Sequence, residues 1–232
     1  MLDFCIIGSG ISGSTIANCL NKKYKLLLYD KAKGAGGRSS FKRYKGNIGF
    51  DHGLQYLSPR SKEFKSFTNS LIKKKVIKHW KGNHKFLNER VRRDKKHIKL
   101  IGFKGNNDIS KYLLKDIDCK FQSELIGIKR HKDCWNLKFK DNSFIFSKNL
   151  IITAPFPQSK KLTSRFVKTK LFNNKVTMNA SITVLLMTNK TGNKFSSFFT
   201  NDADLGWVSY ENSKKRFKFD KDLWVLQSTF EY

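Results

Sequence analysis

Residues 2–13 read Leu2-Asp3-Phe4-Cys5-Ile6-Ile7-Gly8-Ser9-Gly10-Ile11-Ser12-Gly13, and the reading of this stretch decides the fold. Leu2 to Ile7 is a short, nearly continuous apolar run, the pattern of a parallel strand buried on both faces. Gly8 breaks it. Beyond the glycines, Ile11, Thr15, Ile16, Cys19 and Leu20 recur at helical spacing, and Lys22 and Lys23 follow where the negative end of a helix dipole favours cations. Tyr24 to Tyr29 is a second apolar strand closed by Asp30, so a complete strand–helix–strand unit fits within the first thirty residues.

Gly8-Ser9-Gly10-Ile11-Ser12-Gly13 is therefore G-x-G-x-x-G in the one context that gives the pattern meaning, straight after a strand and opening a helix. The first glycine permits a tight turn, the second lets a pyrophosphate approach the backbone, and the third lets helix and strand pack closely. Free N–H groups and the helix dipole then face the phosphates. Asp30 lies 22 residues after Gly8, where its carboxylate can accept hydrogen bonds from the adenosine ribose. Nicotinamide and flavin dinucleotides share the same ADP half, so the fingerprint alone does not choose between them.

Working outward, residues 31–53 are rich in glycine and lysine and are expected to wander over a surface or along a ligand. Phe64, Phe67, Leu71 and Ile72 predict a helix within 61–75, and residues 78–99 predict short strands. Asn106 and Asn107 are expected to cap a helix running through Tyr112, Leu113 and Ile117. Residues 121–129, 134–140 and 143–147 predict a three-stranded meander, and 150–153 a further buried strand stopped by Pro155 and Pro157. The remainder to Tyr232 alternates β-branched and aromatic runs with polar turns. The expected organisation is α/β: a Rossmann-like domain of residues 1–57 and 98–157, with an inserted, mainly-β lobe of residues 58–97 and 158–232.

With 47 Lys+Arg against 18 Asp+Glu the chain carries a formal charge of +29. The excess is 38 Lys and only 9 Arg, spread along the whole sequence, whereas a reader of nucleic-acid sequence favours the bidentate guanidinium. No specific nucleic-acid partner is expected, and the excess reads as solvated surface. Cys5, Cys19, Cys119 and Cys134 form no CxxC pair and read as buried free thiols in a reducing compartment, hence a cytoplasmic protein. No stretch approaches the roughly 20 apolar residues of a spanning helix. Metal-ligand spacing and a Ser/His/Asp order are both missing from the sequence, so no metal site is expected.

Beyond the fingerprint, Asp30-Lys31-Ala32-Lys33-Gly34-Ala35-Gly36-Gly37-Arg38-Ser39 resembles the segment of flavin-dependent amine-oxidase-like proteins in which Gly-Gly-Arg follows the ribose-binding acid. Phe50-Asp51-His52-Gly53-Leu54-Gln55-Tyr56 is similar to the segment by which the renalase-like branch passes the flavin ring. Residues 207–216 and 223–227 resemble that branch's late substrate-lobe strands. The resemblance implies FAD as cofactor, held by Gly8, Ser9, Gly10, Ile11, Ser12, Gly13, Asp30, Lys31, Gly36, Gly37, Arg38 and Ser39. It adds Leu125 or Ile126 against the adenine, and Pro155, in the turn Thr153-Ala154-Pro155, near the dinucleotide. It places His52, Gln55 and Tyr56 along the flavin, and Trp207, Asn212 and Lys214 toward a small-molecule substrate.

The chemistry implied is oxidation of isomeric dihydronicotinamide dinucleotides, NAD(P)H isomers, with O2 giving H2O2. An amine oxidase or desaturase relative, or a truncated non-catalytic dinucleotide-binding protein, are the other readings. Family members continue further, back into the FAD-binding domain, to a Gly-Asp motif and a helix facing the flavin end, so the resemblance implies that this C-terminal return is missing here.

Overall fold

Leu2–Ile7 (β1) lies inside a six-stranded sheet because both of its faces are apolar. In this computed structural model, which describes residues 1–86, 98–167, 176–200 and 202–230, β1 pairs in parallel with Leu26–Tyr29 (β2) on one side and Phe144–Ile152 on the other. The helix Ile11–Leu20 (α1) connects the first two strands. The sheet order is Cys119–Lys120, β2, β1, Phe144–Ile152, Cys134–Phe139, Leu125–His131: four parallel strands continued by an antiparallel meander. One face buries Ile6, Leu26 and Leu28 with Ala17 of α1, Leu114 and Ile117. The other buries Cys5, Ile7 and Tyr29 with Leu125, Leu137 and Phe139. Each fully buried aliphatic side chain contributes roughly 1.5–3 kcal/mol, so two-sided burial is what holds this short strand in the centre.

The chain divides into two compact units, residues 1–37 with 110–178, and residues 38–109 with 179–232. The first contains the mixed sheet and has the Rossmann-like α/β architecture. In the second, a five-stranded sheet has the order Thr183–Thr188, Asp222–Ser228, Leu205–Tyr210, Ser197–Phe199, His84–Phe86. Its core gathers Phe50, Leu223 and Val225, and separately Trp80, Ile101 and Trp207. The helix Lys62–Lys73 (α2) begins where Ser61 Oγ accepts the Phe64 N–H at 3.1 Å, with Glu63 in its first turn.

Several local expectations differ from what is found. Residues 38–57 group with the second unit, not the first, because Asp51 and Gln55 bond to residues of 106 and 209–216. The glycine-rich stretch does not merely wander: Phe41–Lys45 and Ile48–Asp51 form a hairpin turning at Gly46, whose φ is 54°. Residues 144–152 form one continuous strand, since the second half extends the first to pair with β1. Pro155 and Pro157 do not only stop that strand. They start the helix Phe156–Thr163, where a proline in the first turn removes an N–H that needs no partner.

The helix Asp108–Leu113 ends before Ile117, and the Asn106 side chain is taken up elsewhere, accepting from Gly102 N–H and donating to the carbonyls of Leu54 and Gln55. Of the four free cysteines only Cys5 is buried; Cys19 is exposed on α1. Part of the 78–99 region, together with Glu231 and Tyr232, lies outside the described residues. Among the described residues no helix is long and apolar enough to cross a membrane.

Candidate functional site

The loop from β1 to α1 is a floor of glycines, each there for a different reason. Gly8 has φ 107°, a conformation L side chains avoid. A Cβ at Gly13 would lie 1.9 Å from the Gly8 carbonyl oxygen, so helix and strand meet only because that atom is missing. Gly10 is the contrast: its nearest neighbours to a built Cβ are Gly37 Cα at 3.9 Å and Gly36 O at 4.0 Å, leaving its side of the backbone open. Gly10 caps α1, and the first turn holds no acidic side chain, so the positive end of the dipole is not neutralised by the helix's own residues. The Gly36-Gly37 pair is laid against this floor. Gly36 N–H donates to Ser9 O at 3.0 Å, Gly10 and Gly36 bridge in parallel, and both Gly36 and Gly37 have positive φ.

Asp30 closes β2 beside the same loop. Its Oδ2 accepts from Ser9 N–H and Ser9 Oγ, both at 2.6 Å, and its Oδ1 accepts from Ala32 N–H at 2.8 Å. The carboxylate thus fixes the fingerprint while remaining partly solvent-accessible, with lone pairs left for further donors. Ser14 Oγ donates to Ser9 O at 3.1 Å, and Thr153 Oγ1 donates to Ile7 O at 3.0 Å, bracing the loop from the helix side and the far strand. These two braces were not singled out from the sequence, because Ser and Thr at such positions carry no distinctive pattern. A cleft of about 430 Å³ lined by Gly34, Ala35, Lys111, Leu114, Cys119 and Phe121 is separate and includes no fingerprint residue.

The other expected cofactor residues of the first unit are placed as follows. Ile11 is half-buried and Ser12 exposed at the helix start, and Lys31 is exposed after Asp30. Leu125 is buried in the core while Ile126 is 48% exposed. Pro155 caps the helix Phe156–Thr163.

Arg38, Ser39, His52, Gln55, Tyr56, Trp207, Asn212 and Lys214 belong to the second unit. Arg38 is exposed and its carbonyl accepts Leu54 N–H; Ser39 is buried. Gln55 is held by bonds from its Nε2 to the Asp51 and Gly53 carbonyls and by Ser209 Oγ, which donates to its Oε1 at 2.8 Å. Asn212 is occupied at both ends, by Lys221 O and Leu223 N–H. Tyr56 and Trp207 pack 5.6 Å apart, with Phe199 edge-on to Trp207. Two polar atoms in this group are buried without a hydrogen-bond partner among the described residues: His52 Nδ1 and Trp207 Nε1.

Lys214 is enclosed rather than presented to a substrate. Its ammonium donates to Asp51 Oδ2 at 2.8 Å and Glu211 Oε1 at 2.6 Å and lies 5.1 Å from the Trp80 ring. Arg216 donates to the same Asp51 oxygen at 2.5 Å, to Gly102 O and to Asn106 Oδ1. Burial alone would raise both carboxyls. At Asp51 the charges of Lys214 and Arg216 outweigh it and hold the group below the ordinary range. At Glu211 burial prevails, aided by the Asp51 charge, and the group is pushed up. Of this cluster only Lys214 was named in advance as a site residue. Asp51, Glu211 and Arg216 were visible as motif letters, but nothing in their spacing announces a four-residue ion cluster.

Residues 6–71 match the family model described as an NAD(P)-binding Rossmann-like domain. Among solved structures, the putative protoporphyrinogen oxidase from Exiguobacterium sp. 255-15 is similar with a TM-score of 0.74 at 11% identity, over 97% of this chain and 76% of that one. Putrescine oxidase bound to putrescine gives 0.73 at 10% identity, over 98% and 75%. Reduced UDP-galactopyranose mutase gives 0.75 at 10% identity, over 99% and 75%. At such identities the likeness speaks to architecture: this chain has a mixed α/β fold with a Rossmann-like parallel sheet, of the kind these oxidases and this mutase share.

Proposed function

We propose that this protein binds FAD and is a flavin-dependent oxidoreductase. The observation that carries the reading is the inequality of the fingerprint glycines: Gly13 is jammed against Gly8, whereas Gly10 has open space at the N-terminus of a helix. A glycine kept where a side chain would fit is explained by a ligand that needs the backbone bare. Gly8 to Gly13, Asp30, Gly36 and Gly37 would hold the ADP portion, with helix N–H groups toward the pyrophosphate and Asp30 toward the ribose. The unpartnered His52 Nδ1 suits a residue whose polar contact is a ligand. When bound, a flavin supplies two-electron redox chemistry; the chain's own residues grip, orient and desolvate.

The narrower reading is renalase-like: oxidation of isomeric dihydronicotinamide dinucleotides with O2 as acceptor. It rests on the resemblance of residues 50–56, 207–216 and 223–227, and a +29 chain attracts such anionic substrates. The aromatic group Tyr56, Trp80, Phe199 and Trp207 favours a second reading, an amine oxidase relative, since aromatic walls suit an amine. The four free cysteines support a reducing, cytoplasmic setting.

Titration with FAD, followed by flavin fluorescence and calorimetry, should show saturable binding that Gly10→Val abolishes while the circular dichroism stays unchanged. Wild-type affinity in that variant refutes the cradle. Anaerobic bleaching of the loaded protein by an isomeric dihydronicotinamide and not by amines selects the first reading, and the opposite result selects the second.

A further inference from the structure

The antiparallel meander of the first unit turns two phenylalanine rings to solvent. Phe144 and Phe146 are 54% and 43% exposed and stand two residues apart on one strand, so both point to the same side of the sheet. The register places Lys138 opposite Phe144, Asn136 opposite Phe146 and Lys129 beyond Asn136, with His131 opposite Cys134 at the end of the ribbon. The alternating residues Leu137, Phe139 and Ile145 point inward and pack in the core. Lys138 Nζ lies 5.7 Å from the Phe144 ring, and the His131 ring meets Phe146 edge-on at 5.9 Å. Lys148, the next residue on that side, reaches Asp3 at 2.8 Å. The nearby acids sit in the flanking turns, where Asp141 is engaged by Ser143, and at Glu124, which faces Lys140 at 3.9 Å.

Positive charge alone singles out nothing in a chain with 38 Lys. What distinguishes this face is the combination: paired rings on a rigid strand rather than a loop tip, framed by ammonium groups and an imidazole. Leaving two phenylalanines in water costs hydrophobic burial, and the neighbouring cations deter another copy of this cationic chain from covering them. A partner that is itself anionic and carries flat apolar surfaces satisfies both features. We propose that this face binds single-stranded nucleic acid, with bases stacking on Phe144 and Phe146 and phosphates lying along Lys129, Lys138 and His131. The contact is sequence-tolerant, because every base offers a ring face and the platform offers little hydrogen-bond readout. An anionic membrane also joins cations with apolar contact, but it is better met by an amphipathic helix than by rings lying on a pleated sheet. This inference is independent of the cofactor cradle.

The test is fluorescence anisotropy of a labelled oligothymidine with the full chain, with heparin as a polyanion that has no bases and phosphatidylserine vesicles as the membrane probe. Phe144→Ala/Phe146→Ala should weaken oligothymidine binding roughly 5- to 150-fold per ring and leave heparin binding unchanged. Phe144→Tyr/Phe146→Tyr should retain it, which separates lost stacking from lost folding. Lys129→Ala/Lys138→Ala should reduce the salt slope by about one unit per phosphate contact, whereas Lys65→Ala/Lys73→Ala on α2 should not. The proposal is overturned if the double alanine variant binds oligothymidine like the wild type, if oligothymidine and heparin weaken together, or if vesicles bind through these rings and oligothymidine does not.

Discussion

Around Gly8 to Gly13 polarity is carried by the backbone, through a helix end with open space in front of it and one carboxylate at its side. Around Asp51 it is carried by four ionisable side chains that satisfy one another, Asp51, Glu211, Lys214 and Arg216, all with side chains at most 1% exposed. The first arrangement is unfinished without a ligand, and the second is complete as it stands. Their responses to substitution should therefore be opposite: the cradle is damaged by adding atoms, the cluster by removing a charge.

The largest effect is expected at the cluster. Lys214→Met leaves Asp51 and Glu211 facing each other with only Arg216 between them, and breaking a buried pair in this way costs about 3–5 kcal/mol. Urea denaturation measures it. Adding Glu211→Gln to the same chain should return a good part of that loss; strictly additive losses would show that the four groups do not act as a unit.

The cradle provides a sharper contrast within three residues. Gly13→Ala forces Cβ into the Gly8 carbonyl and should cost about 1–3 kcal/mol in thermal or urea unfolding. Gly10 has φ −67°, ordinary for any residue, so Gly10→Ala should change stability by less than about 1 kcal/mol while weakening FAD binding. Equal destabilisation by the two would remove the distinction between a packing glycine and a ligand glycine.

Acid should produce the mildest and most distributed effect. Asp222 accepts from Tyr210 OH, Thr191 N–H and Oγ1, and Lys190; burial opposes ionisation there, but these bonds prevail and hold the carboxyl well below the ordinary range. Asp51 is lowered as well. As pH falls below about 4 the unfolded chain takes up these protons first, so the stabilisation is complete above that pH and is lost as pH falls toward the folded-state values. Glu211, raised, contributes with the opposite sign. Melting temperature against pH should fall on the acid side, and Asp222→Asn should make that limb shallower; an unchanged slope would mean the bonds to Asp222 are not formed in solution.

The strand, glycine turn and helix of residues 2–20 were readable in advance, as were α2 with its Ser61 cap and the meander strands. Each rests on periodicity or a turn within a dozen residues. The hairpin of residues 41–51 was hidden because its glycines resemble loop composition. Yet Gly46 supplies the left-handed turn, and Gly49 lets Lys42 O approach to where a Cβ would stand 2.3 Å away. The helix after Pro155 was hidden because proline ends one element and starts another with equal ease.

What the sequence determined by itself was the strand–helix–strand start and the glycine floor with its acid. These depend on backbone geometry and on contacts no more than about thirty residues apart. Only the tertiary structure decided that Asp51 meets Lys214 and Arg216, 163 and 165 residues away, that Lys214 is enclosed, and that Phe144 and Phe146 share one open face. A charged side chain can pair with any opposite charge brought near it. The choice is made by strand register and by exclusion of water, and both exist only once distant segments have packed.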